Sequence, residues 1–417
     1  MKFAINTGVL HYPKDKLRSW PTNGVKAMNK VIIAGVGSSQ YGRFVDTTLK
    51  QLSLTAVEKL FSDNVMTTAQ VEKVFFANAA AGIMTEQEMV RGQALLRGHP
   101  LARVPLINIE NACASSGSAL HLAFQAIRYG ELNCAVVVGA EKLNHVHKDR
   151  AFRALWGATD IEEIGPYPSG ESTRSVLMEY YAGVAQKFLD SGRVSIEDFA
   201  RIAVKNRANA ALNPIAQFRR TQTVEEVLGA QMIASPLTLP MCAPLTDGAT
   251  AILICSEELA RAHGLPLVEI KACTMAGSPG VGVSPVRRAT EQAYAETAYG
   301  PRDMDLIELH DAAAPAEILQ YSEIGLCDKE QLAEFIASGA TSIDGKYPVN
   351  TSGGLLSRGH ALGATGSAQI AEIFDQLTNA AGQRQLADPV RGMAVNGGGW
   401  MDGTYILAVC TIIETMH

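Results

Sequence analysis

An α/β fold made of two similar halves is predicted by three observations. Apolar runs repeatedly end in small-residue turns that open helical spacing, and two such stretches can be laid side by side. The chain of 417 residues is 47% hydrophobic, 19% charged and 6% aromatic with 37 glycines, the profile of packed globular α/β units. That composition excludes disorder, collagen and a small disulfide scaffold.

Residues 1–29, with Gly8, Pro13, Pro21 and Gly24 among several lysines, read as an extended N-terminal arm, with an organelle presequence as the alternative. From Val31, VIIAGVGSSQYG reads as a buried strand and a Gly/Ser turn, and SLTAVEKLFSD follows with helical spacing. VEKVFFANAAAG, VPLINIENACASSGSALHLAFQAIRYG and NCAVVVGAEK repeat the theme. Runs that are apolar throughout imply a parallel sheet covered on both faces. Residues 151–235 read as an inserted helical segment: WGATDIEEIGPYPSGESTR is rich in turn formers, and two helices follow around a Ser-Gly break. TDGATAILICSEELARAHG returns to strand and helix, so 30–150 and 236–265 form one half. VEIKACTMAGSP opens the second half, 266–417. NACASSGSALHLAFQAI before AVVVGAE then matches GHALGATGSAQIAEIF before MAVNGGG, which predicts a duplication with small-residue helices packed at its centre.

Charge and cysteine usage narrow the function. Thirty-six Lys plus Arg against 42 Asp plus Glu give a net charge of -6, with no long-range pull toward nucleic acid or anionic membrane. No stretch approaches the roughly 18 consecutive apolar residues of a spanning helix. The seven cysteines show no CxxC or Cys/His ligand spacing, which predicts a reducing, cytoplasmic location and no metal site.

Cys113 stands where a helix begins, since Leu120, Phe124 and Ile127 form an apolar face just beyond it. A helix N-terminus favours the thiolate, so Cys113 is a candidate nucleophile with a lowered pKa; a buried, inert thiol is the alternative. His360, between glycines at a turn before a helix, is a candidate base, and His310 closes the strand DLIELH, where open α/β sheets face their ligand. Asn396, Gly397 and Gly398 follow the strand MAV, where bare backbone can aim amides at a developing oxyanion. Lys205, Arg207, Arg219 and Arg220 make the inserted segment locally basic, suited to ligand phosphates or simply a solvated face. Tyr180, Tyr181 and Phe188 at helical spacing read as packing. Neither GATG nor GGG completes a phosphate loop.

The chain resembles a thiolase from about Val31 to its end. The marks are NACASSGSAL around Cys113, LTDGATAILICSEE near Asp247 and NTSGGLLSRGHALGATG around His360. VKNRANAALNPIAQFRRTQTVEEVLGAQMIASPLTLPMCAPLTDGA, with the His310–Asp311 pair, is similar to the sterol carrier protein type branch and its acetyl-CoA acetyltransferase-like relatives. The resemblance implies a five-layer α-β-α-β-α thiolase fold, a loop domain that binds coenzyme A, and a homodimer formed through the first half. It implies that Cys113 is acylated, that His360 activates it, that His310 and His360 donate to the thioester oxyanion, and that the amides of Cys113 and Gly398 form a second oxyanion hole. Coenzyme A is then a substrate, not a resident cofactor. Several relatives work with a small zinc-ribbon and OB-fold subunit, so such a partner is expected.

The chain departs from the family in three places. Thiolases carry a second cysteine that moves the α-proton, near the C-terminus or directly after His-Asp, and here those places hold Asn396 and Ala312; Ala361 replaces the common proline after His360. The expected activity is cleavage of a substituted or bulky 3-oxoacyl-CoA by CoA, with an aromatic substrate such as an aroylsuccinyl-CoA as one candidate. The alternatives are a thiolase-like retro-aldolase, which needs no Cys113, and a non-catalytic scaffold subunit.

Overall fold

A computed structural model describes residues 28–62, 64–168, 175–280 and 282–416. The expected arm lies outside the described residues except for Met28 and Asn29. The strands, in chain order, are β1 (Val31–Ser38), β2 (Lys73–Ala77), β3 (Leu106–Ile109), β4 (Cys134–Glu141), β5 (Met232–Ala234), β6 (Leu237–Thr238), β7 (Gly248–Ser256), β8 (Val268–Gly277), β9 (Leu306–Glu308), β10 (Arg391–Gly398) and β11 (Leu407–Thr415). β5 and β6 form a short ribbon; the others run in the order β3-β2-β4-β7-β1-β8-β11-β10-β9.

The expected parallel sheet is corrected to a mixed one. β2 is parallel to β3 and β4, and β9 to β10, while every pairing across the middle of the sheet is antiparallel. Burial on both faces makes a strand apolar throughout whichever way its neighbours run, so the pattern reported coverage and not direction. β10 and β11 also return on themselves through a short turn, which only antiparallel strands can do.

Five layers follow from the three large apolar clusters. One joins the outer face of β1, β2, β4 and β7 to helix Leu49–Ser62 and its neighbours. The second fills the space between the two parts of the sheet with helices Ser115–Arg128 and Thr365–Leu377. The third joins the outer face of β8, β10 and β11 to helices Pro285–Thr297 and Ala314–Glu323, and to helices Val176–Asp190 and Ile196–Ala211 from the segment between β4 and β7. Among the described residues, the two parts of the sheet pair only where Ile32 faces Glu269 and Ile33 faces Val268.

The duplication explains where the chemistry gathers. β3 runs beside β2 and leads into the Cys113 turn and helix Ser115–Arg128; Val349 bridges Ile307 of β9 in the same parallel sense and leads to His360 and helix Thr365–Leu377. The two helices meet at their N-termini. Neither carries a side-chain cap of its own, but Ser367 N donates to Ser116 Oγ at 2.9 Å. Small residues are required there: a Cβ on Gly366 would lie 2.6 Å from Gly117 N.

Candidate active site

The Cys113 turn is tight and internally bonded. Ala112 sits in the left-handed region at φ 48°, and Ser115 Oγ accepts from Asn111 N while donating to Ala112 O. Gly398 presses on this turn so closely that a Cβ there would lie 2.4 Å from Asn111 O and 2.9 Å from Ala114 N. The Gly399 amide reaches the Cys113 sulfur.

The sequence-based expectation of a lowered Cys113 pKa is overturned. Burial, then the nearby Glu141 carboxylate, push the thiol up to about 12, against the pull of its own and the Gly399 amides. Desolvation outweighs the helix terminus because the helix begins two residues later, at Ser115.

His310 and His360 stand beside the thiol, the three ligand atoms within 4.8 Å of one another and the two rings edge to face at 5.1 Å. His310 is gripped through its backbone: its N–H donates to Gln320 Oε1, and its carbonyl accepts from Gln320 Nε2 and Tyr405 Oη. The neighbouring Asp311 accepts from Leu355 N, Leu356 N and Asn206 Nδ2, tying this loop to the His360 segment. His360 N donates to Thr246 Oγ1.

The hydrogen-bond network gives the two imidazoles opposite tautomers. Asn396 Nδ2 donates to Cys113 O at 3.0 Å, which fixes the orientation of its amide, and its other hydrogen goes to His310 Nδ1 at 3.2 Å. His310 therefore carries its proton on Nε2. Thr365 Oγ1 donates to Ala361 O at 3.0 Å and so accepts from His360 Nδ1 at 2.9 Å, which leaves Nε2 of His360 as a lone pair. One ring is a donor and the other a base. Burial and the Arg358 guanidinium bring His360 down to about 3, and burial with both His360 and Arg358 brings His310 well below its usual range, so both rings are neutral at rest. A thiol and two imidazoles also form a donor set of the type that binds zinc.

These groups open into a cavity of about 500 Å³ lined by Cys113, His310, His360, Gly398 and Gly399. Its body is apolar, with Leu143, Phe152, Leu155, Leu177, Met178 and Trp400, and Ala312 adds only a methyl. Arg43 and Lys148 supply exposed cations on its wall, and His145 adds an imidazole.

The expected phosphate residues do not meet this cavity. Lys205 is corrected to a structural cation: its ammonium is buried against Glu317 and donates to Val349 O. Arg207 is buried over the Phe218 ring at 3.9 Å. Arg219 and Arg220 are exposed, but neither is on the cavity wall, and Arg220 pairs with Glu226. Asn396 stands behind the wall, where its side chain braces Cys113 and His310. Tyr181, read as packing, lines the cavity and donates to Tyr405 Oη at 3.2 Å, while Tyr180 stacks on Trp400. Arg43, His145, Lys148 and Trp400 went unread because only the return of the chain assembles them, while Thr365, five residues beyond His360, went unread inside a motif taken for its glycines.

Two family models match the chain: Thiolase, N-terminal domain, over residues 31–258, and Thiolase C-terminal domain-like, over residues 270–409. Benzoylsuccinyl-CoA thiolase subunit BbsB of Thauera aromatica is 34% identical over 388 residues, covering 90% of this chain and 96% of that protein. Acetyl-CoA acetyltransferase of Methanothermobacter thermautotrophicus is 32% identical over 382 residues, covering 89% and 97%. Among solved structures, an Ltp2-ChsH2(DUF35) aldolase matches with a TM-score of 0.74 at 22% identity, covering 94% of this chain and 99% of that one. Human mitochondrial 3-ketoacyl-CoA thiolase in complex with CoA matches with a TM-score of 0.72 at 17% identity over the same shares, so for both the likeness is one of fold.

Proposed function

The chain belongs to the thiolase family and is a CoA-dependent acyltransferase, and on that premise we propose that it cleaves a 3-oxoacyl-CoA with a bulky or aromatic acyl group, in the degradative direction. The observation that carries this reading is the pairing of opposite imidazole tautomers beside one buried thiol. Size and apolar character of the cavity support the bulky acyl group, as does the 34% identity to a thiolase named for benzoylsuccinyl-CoA.

The resting site holds no ion pair. As Cys113 Sγ bonds to the C3 carbonyl carbon, its proton passes to Nε2 of His360, and the charge moves to an oxygen facing backbone amides at the Cys113 turn and Gly398–Gly399. Collapse breaks the C2–C3 bond and leaves an enolate on the departing CoA thioester. Nε2–H of His310 and the newly formed Nε2–H of His360 both donate to its oxygen. CoA then attacks the acyl-Cys113 carbonyl, and the thiol is restored.

The segment over 151–235 receives the CoA moiety in this reading, since it supplies Phe152, Leu155, Leu177 and Met178 among other residues of the wall. Arg43 and Lys148, with the His145 imidazole, take the phosphate-binding place expected of Lys205 and Arg207, while Arg219 and Arg220 are exposed off the cavity wall. A homodimer fits β3, which ends the sheet with an edge unpaired among the described residues and leaves Ile107 42% exposed. A small partner subunit fits the relative named as a subunit and the solved aldolase whose title joins two proteins. Seven buried, unpaired thiols fit a cytoplasmic location, and no helix among the described residues is long and apolar enough to cross a membrane.

The test is CoA-dependent cleavage of straight, branched and aromatic 3-oxoacyl-CoAs, with both thioester products measured. Two thioesters per substrate, made only with CoA and lost in Cys113→Ala, are expected; release of a free aldehyde or ketone that survives Cys113→Ala would replace this reading with retro-aldol cleavage.

A further inference from the structure

Cleavage of the C2–C3 bond leaves an electron pair on C2 that must take up a proton. In the reaction proposed above, on which this inference rests, His310 and His360 are committed to oxygen, and Ala312 and Asn396 offer no acid. Among the described residues of the cavity wall there is no carboxylate. The hydroxyls of Tyr181 and Tyr405 form a relay that ends on His310 O, so both are taken.

Of the other wall groups, the Trp400 indole N–H and the Ser175 hydroxyl are too weakly acidic to protonate carbon, and Arg43, His145 and Lys148 are not buried, which leaves a thiol as the buried acid among the described residues of the wall. Cys242 lines the cavity, is 6% exposed, and makes no hydrogen bond through its sulfur among the described residues. Its position follows from the short stretch 242–247, which laces the two histidine loops together. Cys242 bridges Ala313, Ala243 N donates to Ala312 O at 3.0 Å, Leu245 bridges His360, and Thr246 accepts from His360 N. A thiol is thus delivered from the first half of the chain to the place beside Ala312. The other cysteines lie elsewhere: Cys134, Cys255, Cys273 and Cys410 are within strands of the large sheet, and Cys327 follows helix Ala314–Glu323.

We infer that Cys242 is the acid–base residue that serves C2 of the substrate. When the C2–C3 bond breaks, the electron pair on C2 takes the Cys242 S–H proton, giving the neutral acyl-CoA and a Cys242 thiolate. CoA then enters, its thiol gives its proton to Cys242, and the CoA thiolate attacks acyl-Cys113. The Cys113 thiolate released takes back the proton held by His360, so every group returns to its starting state. Burial pushes the Cys242 thiol up to about 12, so it holds its proton until an acceptor as basic as the enolate appears.

The test separates acylation from carbon–carbon cleavage in Cys242→Ala and in the near-isosteric Cys242→Ser. An aryl thioester with a p-nitrothiophenolate leaving group acylates Cys113 without needing an acid, and intact mass reads the adduct. Cleavage of acetoacetyl-CoA and benzoylacetyl-CoA is measured on the same samples. Both variants are expected to take up the aryl thioester acyl group within about threefold of the parent rate while cleavage falls at least about 100-fold. Acylation also certifies that the site is folded. Cleavage within about tenfold of the parent in either acylating variant would overturn the role of Cys242 and leave the thiolase reading intact. Failure of the parent itself to take an acyl group on Cys113 would overturn that reading, and this assignment with it.

Discussion

Two histidines of one site hold opposite tautomers because their Nδ1 atoms meet different partners, an amide donor for His310 and a hydroxyl acceptor for His360. Thr365→Val removes the acceptor that holds Nδ1–H, and kcat for cleavage is expected to fall roughly 100-fold with KM little changed. An unchanged kcat would mean that Thr365 does not set the base. The burial that raises the Cys113 thiol to about 12 fixes a second outcome. Below that value the thiolate fraction grows tenfold per pH unit, so alkylation of Cys113 by iodoacetamide in the unliganded enzyme climbs steadily from neutral pH to about 10. A plateau near neutrality would instead reveal a standing thiolate–imidazolium pair. Their motifs and their places at a helix start, a strand end and a glycine turn made Cys113, His310 and His360 legible in the sequence; their protonation was not, because it depends on contacts that only folding makes, with Asn396 and Glu141 far along the chain and with Thr365 five residues from His360.

Elements act here as clamps on short turns. Gly398 lies at the end of β10 against the Cys113 turn, and its close neighbours are two backbone atoms and the Ala114 Cβ, none of which can swing aside. Gly398→Ala is expected to cost about 1–3 kcal/mol by chemical denaturation and to slow acylation of Cys113. Helix Ile196–Ala211 illustrates a pattern that misleads. Its Lys205 looked like a phosphate ligand, but that face of the helix packs on Glu317 within the second half. Lys205→Met leaves the Glu317 carboxylate buried without its counter-ion, so a loss of about 3–5 kcal/mol is expected while KM for CoA stays unchanged. A raised KM at full stability would restore Lys205 to the ligand. Strand, turn and helix were readable from periodicity, whereas strand direction was not, because a strand covered on both faces carries no record of its neighbours' sense.

At the scale of the whole molecule, duplication does the assembly. Corresponding turns of the two halves bring Cys113 and His360 to one point, and β3 ends the sheet with no strand on its outer side among the described residues. Ile107→Asp is expected to shift the mass measured by light scattering from dimer to monomer; a parent that is already monomeric would remove the edge from consideration. The repeat was visible in the sequence because both halves kept their small-residue turns before a helix. The cavity was not, since its walls come from the inserted segment and both halves at once. The central claim is that Cys113 carries the acyl group between two thioesters. Its most direct test is intact mass of the protein after brief exposure to a panel of 3-oxoacyl-CoAs without CoA, followed by peptide mapping. A mass gain equal to the acyl group, mapped to Cys113 and discharged on adding CoA, is the predicted result; no adduct from any substrate, with the substrate still consumed, would contradict the account.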